Sequence, residues 1–178
     1  MKRAMHLLIL SIILGIVYFY LEGWSRWAAG SLVGFEVGDM VQSMSSMTGW
    51  SSQWMVIVGG LCGLFIGLLN EFKLTARLPL VVLATISVVF IIWPLEFISG
   101  CILNDVFDWS LRLGVWDYSH LPLNIKGQVA IALFPAFFGT SVIAIWLDDV
   151  LRHWIMGEVR PESFWQYVKN TLTFKPTP

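Results

Sequence analysis

Charged side chains are scarce in this chain of 178 residues: 11 Lys and Arg with 12 Asp and Glu make up 13% of it, against about 25% in an ordinary soluble domain. With 57% hydrophobic residues and a mean hydropathy of +0.73, too few polar groups remain to cover a water-soluble surface, and that class is excluded. The net charge of −1 supplies no field that would gather nucleic acid. Cysteine is nearly absent. Cys62 and Cys101 lie in or beside apolar runs without metal-ligand spacing, so they read as buried thiols rather than as a disulfide or zinc site. No phosphate-binding Gly-x-x-x-x-Gly-Lys-Ser/Thr loop occurs, so the chain does not drive itself with ATP in the usual way. Gly-x-Ser-x-Gly and Ser-His-Asp patterns are missing too, which removes support for acyl chemistry. No catalytic residue is assigned, and the composition names no cofactor.

Long apolar runs are what the chain does have. They predict an all-α polytopic membrane bundle, a single integral domain over residues 1–178 with about four transmembrane helices at 5–21, 54–70, 78–97 and 129–147. In the first run Tyr18, Phe19 and Tyr20 stand where a cleaved signal peptide would carry small residues, so an uncleaved span is expected. The second carries Gly59, Gly63 and Gly67 at four-residue steps, which strips side chains from one helical face and invites close approach by a neighbour. Ser11 with Gly15, and Ala132, Ala136, Thr140 and Ala144, give two further small-residue strips. Pro94 and Pro135 predict a weakened helix end and a kink. Glu22 to Gln53, rich in Gly, Ser and Met, reads as a re-entrant or interfacial segment or as an external loop. An amphipathic outer helix is expected at 102–113, with Asn104, Asp105, Asp108 and Arg112 opposite an apolar face. Residues 148–178 form a tail of mixed charge in which Phe164, Trp165 and Tyr167 favour the membrane surface; Asp148 and Asp149 read as charges at the interface.

The chemistry concentrates between Trp93 and Gly127. Counting about 1.5 Å per residue from Leu78 puts Glu96 roughly 27 Å along, near the far edge of a hydrocarbon layer about 30 Å thick. A carboxylate there needs a partner or a function. The expected ligand-binding set is Glu22, Glu96, Trp116, Asp117, Tyr118, His120 and Asn124, with Trp116–Asn124 folding back so that the Trp116 indole, His120 or Asn124 donates to Glu96. The alternative is a carboxylate that only holds the loop in place. Asn104, Asp105 and Asp108 offer oxygen ligands to a hard divalent cation, although two acids this close also occur on ordinary solvated helix faces.

With four spans and the N-terminus inside, Lys2, Arg3, Lys73, Arg77, Arg152, Arg160, Lys169 and Lys175 lie on the cytoplasmic side, against Arg26, Arg112 and Lys126 outside. That asymmetry predicts a cell-membrane protein with both termini cytoplasmic.

From Glu96 onward the chain resembles the CmpB-like ABC-transporter type IV family of small bacterial membrane proteins. The resemblance rests on Glu96 and Gly100 at a span end, then Trp116-Asp117-Tyr118-Ser119, then Leu121-Pro122-Leu123-Asn124-Ile125 and Gly127. Glu22 is the counterpart of the family's acid near the end of its first span, while its Asn-Arg-Gly and Pro-rich segment has no counterpart between Glu22 and Gln53. The resemblance implies a permease-like role in the bacterial inner membrane. Three functions stay open: a transport or ligand-binding component; an intramembrane enzyme acting on a lipid or isoprenoid head group, with Glu96 or His120 as acid or base; and a non-catalytic subunit. The lipid bilayer is the expected partner, together with a membrane subunit or a second copy of the chain, and nucleic acid is not.

Overall fold

In a computed structural model the chain is described over residues 1–28, 54–72, 75, 78–106, 116, 118–119 and 121–175, with the side chains of all of these except 24–28 and 106. The elements are α1 (Lys2–Ala28), α2 (Trp54–Asn70), a composite helix α3, the short strands β1 (Asn124–Ile125) and β2 (Val129–Ala130), a 3-10 turn (Ile131–Leu133), α4 (Phe134–Met156) and α5 (Phe164–Leu172). Among the described residues three helices, Lys2–Gly23, Leu80–Asp105 and Ile131–Met156, are long and apolar enough to cross a membrane, and Trp54–Asn70 is a shorter apolar helix. The expected re-entrant segment falls outside the described residues after Ala28.

The glycine stripe sets the first packing. A Cβ placed on Gly59 would lie 2.3 Å from the Tyr18 Cβ, one on Gly63 2.9 Å from that of Leu14, and one on Gly67 2.8 Å from Leu10 Cδ2. The partners descend α1 in steps of four as the glycines ascend α2, so the two helices are antiparallel and in backbone contact. Gly15 does the same from the other side, its would-be Cβ 2.4 Å from the Val56 carbonyl oxygen, and Ser11 Oγ donates to the Gly60 carbonyl at 2.8 Å. The core between helices is filled by Leu10, Leu14 and Phe19 from α1, Met55 and Ile66 from α2, Leu83, Val88 and Ile92 from α3, and Val142 and Ile145 from α4.

α3 is built from Leu80–Ser87 in α geometry, Val88–Ile92 as a π-turn, Trp93–Gly100 in α geometry and Cys101–Val106 as a second π-turn. Pro94 has no N–H to return to the preceding turn, and the helix widens there, with the Trp93 N–H bonded to the Val88 carbonyl. The expected break after Phe97 does not occur: Cys101 keeps right-handed helical angles and the chain continues as the π-turn. A separate amphipathic helix therefore does not begin at Ile102, and residues 107–115 lie outside the described part. Pro135, expected to kink a span starting at 129, sits in the first turn of α4, where a missing N–H costs nothing. Residues 129–130 pair with 124–125 instead, Asn124 opposite Ala130 and Ile125 opposite Val129.

α4 runs past the expected end at Leu147 to Met156, where Gly157 in the left-handed region closes it and its N–H bonds the His153 carbonyl. α5 then returns to the bundle, burying Tyr167, Asn170 and Thr171. The Lys175 carbonyl after α5 accepts the Leu80 N–H at 3.0 Å, so the end of the chain caps the start of α3.

Candidate functional site

Glu96 is 1% exposed. Its Oε1 accepts a hydrogen bond from the Tyr18 hydroxyl of α1, while Oε2 has no hydrogen-bond partner among the described residues. Glu22, one turn beyond Tyr18 on the same helix face, is also buried, and its carboxylate lies within electrostatic range of Glu96. The close approach at Gly59 positions this group, because a side chain there would push Tyr18 away from α2 and α3.

A cavity of about 410 Å³ opens beside these residues between α1 and α4. Tyr18, Glu22, Tyr118 and Thr140 bring polar groups to its wall, and Leu21, Leu133, Ala136, Phe137 and Ile143 supply apolar surface. Gly139 leaves open space where a Cβ would stand. A mostly apolar cleft with a few convergent polar groups is the usual form of a small-ligand site.

The remaining sequence candidates separate into two groups. Tyr118 joins the cavity, with its backbone N–H bonded to the Gly127 carbonyl at 2.7 Å. Trp116 and Asn124 are committed to the fold. The buried Trp116 indole donates to the Gln128 carbonyl at 3.0 Å. Asn124 Nδ2 donates to the Leu121 carbonyl at 2.8 Å and the Ser119 carbonyl at 3.2 Å, and its Oδ1 accepts the Gly127 N–H at 2.9 Å. This knits a turn in which Leu123, Lys126 and Gly127 have positive φ. Neither the Trp116 indole nor the Asn124 amide is therefore the Glu96 donor; Tyr18 fills that role. Asp117 and His120 lie outside the described residues.

Of the proposed cation ligands, the two described ones, Asn104 and Asp105, do not converge. Asn104 Nδ2 donates to Gln128 Oε1 at 2.8 Å and to the Trp116 carbonyl at 3.2 Å, Asp105 is exposed, and Asp108 is outside the described part. No three His, Cys, Asp or Glu side chains are grouped to hold a metal among the described residues. Gly100 belongs to the same structural knot, since a Cβ there would come within 2.1 Å of Gln128 Oε1.

A second buried polar cluster, which the sequence reading missed, lies at the opposite end of α1. Asp148 and His6 are both fully buried, with His6 Nε2 2.8 Å from Asp148 Oδ1. Asn70 Nδ2 donates to Asp148 Oδ2 at 2.7 Å and to Asp149 Oδ1 at 2.9 Å. The Tyr167 hydroxyl donates to Asp149 Oδ2 at 2.5 Å; burial, and then the neighbouring Asp149 charge, raise its pKa, which keeps it a donor. The Asp148-Asp149 pair thus ties α1, α2 and α5 to α4. These acids read as interfacial because nothing nearby in sequence supplies their partners.

Helices of this length and apolarity, closing on a buried carboxylate, define a helical membrane protein. The chain belongs to the family described as Putative ABC-transporter type IV, whose model matches residues 26–175. That match begins after Tyr18 and Glu22, so the correspondence of Glu22 with the family's first acid gains nothing from it. Searches of curated proteins and of solved structures gave no match.

Proposed function

We propose that the chain is a four-span component of the cell membrane, with both termini cytoplasmic, that binds a ligand from the outer side in the cavity beside Tyr18, Glu22 and Glu96 and serves transport. The observation that carries the reading is the Glu96 carboxylate, buried among apolar helices with a single hydroxyl donor among the described residues, Tyr18, which itself lines an apolar cleft together with Glu22. An ionisable side chain in such a place is expensive and is commonly retained for a function. The family's ABC-transporter description supports the transport class and a membrane-complex setting. The enzyme and pure-subunit readings have no comparable observation behind them.

Gly139→Leu tests the cavity, because the added side chain enters open space rather than a neighbour. The variant should melt at the wild-type temperature yet lose small molecules that co-purify with the wild type from native membranes, as read by mass spectrometry. Glu96→Gln should also lose them while remaining folded, whereas Glu96→Leu, which strands the Tyr18 hydroxyl, should destabilise by about 1–3 kcal/mol. Wild-type protein that retains nothing, or retention by Gly139→Leu, would sink the proposal. Orientation is tested separately by cysteine labelling in sealed vesicles. A cysteine at position 75 or at the C-terminus should be labelled only from inside and one at 112 from outside; external labelling of the C-terminus reverses the arrangement.

A further inference from the structure

Where α4 ends, its last turns and the segment leading into α5 enclose a groove of about 500 Å³. On one side lie Trp146, Val150, His153 and Trp154, and on the other Arg160 and Glu162. The groove is held by the Trp146 indole donating to the Glu162 carbonyl at 3.2 Å and by the edge-on packing of Trp146 against Phe164.

The charges around it are unevenly spent. Glu158 accepts Arg152 Nε at 2.9 Å and Nη2 at 3.1 Å. Glu162 Oε2 accepts Asn170 Nδ2 at 3.1 Å, and Asp149 is held by Asn70 and Tyr167. Arg160 is exposed and is in no ion pair among the described residues. His153 Nδ1 donates to the Glu158 carbonyl at 2.8 Å, which directs the other ring nitrogen elsewhere. The nearby acids therefore have donors already, while a guanidinium remains available for an anion. Beside it Trp154 is 75% exposed on an apolar helix that is long enough to cross a membrane and ends at Met156. An exposed tryptophan on the last turn of such a helix belongs at the headgroup level.

We infer that this groove binds the phosphate-bearing headgroup of an anionic phospholipid. Arg160 takes the phosphate oxygens through its planar fork, and the acyl chains run along Trp154 and Val150 on the outer face of α4. The occupant is a lipid rather than free phosphate because the walls on the α4 side are aromatic and aliphatic and continue into the apolar surface of that helix.

The test uses the full chain in nanodiscs containing equal amounts of phosphatidylglycerol and phosphatidylcholine, with retained lipids counted by native mass spectrometry after transfer to detergent. Wild type should retain phosphatidylglycerol about fivefold over phosphatidylcholine, the scale of one basic side chain near an anionic surface. Arg160→Gln should bring the ratio close to one with an unchanged melting temperature, Arg160→Lys should keep part of the preference, and Trp154→Ala should lower retention of both lipids. Equal retention of the two lipids by wild type overturns the inference, as does a wild-type ratio in Arg160→Gln. Loss of the preference on adding inorganic phosphate assigns the groove to free phosphate and overturns the lipid assignment.

Discussion

Gly59→Leu should unfold or severely loosen the bundle. Its Cβ alone would stand 2.3 Å from the Tyr18 Cβ and 3.0 Å from the Leu14 carbonyl oxygen, so relief requires moving the α1 backbone and not merely a flexible side-chain tip. Overpacking of this kind costs about 1–3 kcal/mol and more when backbone must shift, and the upper end is expected here. The displacement would also withdraw the Tyr18 hydroxyl from Glu96, so ligand retention should vanish in whatever fraction stays folded. Ile57→Ala is the control, since Ile57 is 53% exposed on the other side of the same helix. Thermal melts in detergent should show a large drop for the glycine variant and a small one for the isoleucine variant. Equal melting temperatures would remove the close-packing account of α1 against α2.

Asp148→Asn is the second large effect, expected at about 3–5 kcal/mol, the usual cost of breaking a fully buried pair by altering one partner. The substitution keeps the shape beside Gly67, whose would-be Cβ is 3.2 Å from Asp148 Oδ1. It replaces a carboxyl group that faces His6 Nε2 and Arg152 with an amide, and it sets a second amide against that of Asn70. The strained contact is chiefly with the imidazole, so His6→Leu combined with Asp148→Asn should recover much of the loss, because no buried ring nitrogen is then stranded. Chemical or thermal unfolding of the two singles and the double closes the cycle. A double variant as unstable as the sum of the singles would show that His6 and Asp148 act independently.

The contrast between the two ends of α1 explains what could be read in the chain before its fold. The glycine step of four in α2 is a local pattern with one physical meaning, and it foretold the tightest helix contact. Glu96 could be flagged because a carboxylate beside an apolar run is conspicuous in one dimension. Its donor was hidden, because Tyr18 lies 78 residues earlier and reads locally as one of three aromatics at a helix end. Asp148 and Asp149 were misread for the same reason: two charges after an apolar run usually mark an interface, but here His6, Asn70 and Tyr167 arrive from three other helices. Trp116 and Asn124 show the converse. Their density of polar groups suggested a ligand, yet they close their own turn and anchor it to Gln128. The two prolines add a point about position. Pro94 within a continuous helix is accommodated by a wide turn, while Pro135 at a helix start requires nothing.

The wide turn at Val88–Ile92 has a consequence for how α3 tolerates change in length. A π-turn holds one more residue than the α-helical turn it replaces, and each residue added to a regular helix rotates all that follows by about 100°. Removing a single residue from Val88–Ile92 would let the turn close to ordinary α geometry while Leu83 and Glu96 keep their azimuths. The same deletion between Trp93 and Gly100 would swing the Cys101–Val106 end about the axis and carry Asn104 off Gln128. Length along α3 is thus buffered within the wide turn at Val88–Ile92 and fixed in the α-helical stretch that carries the buried carboxylate.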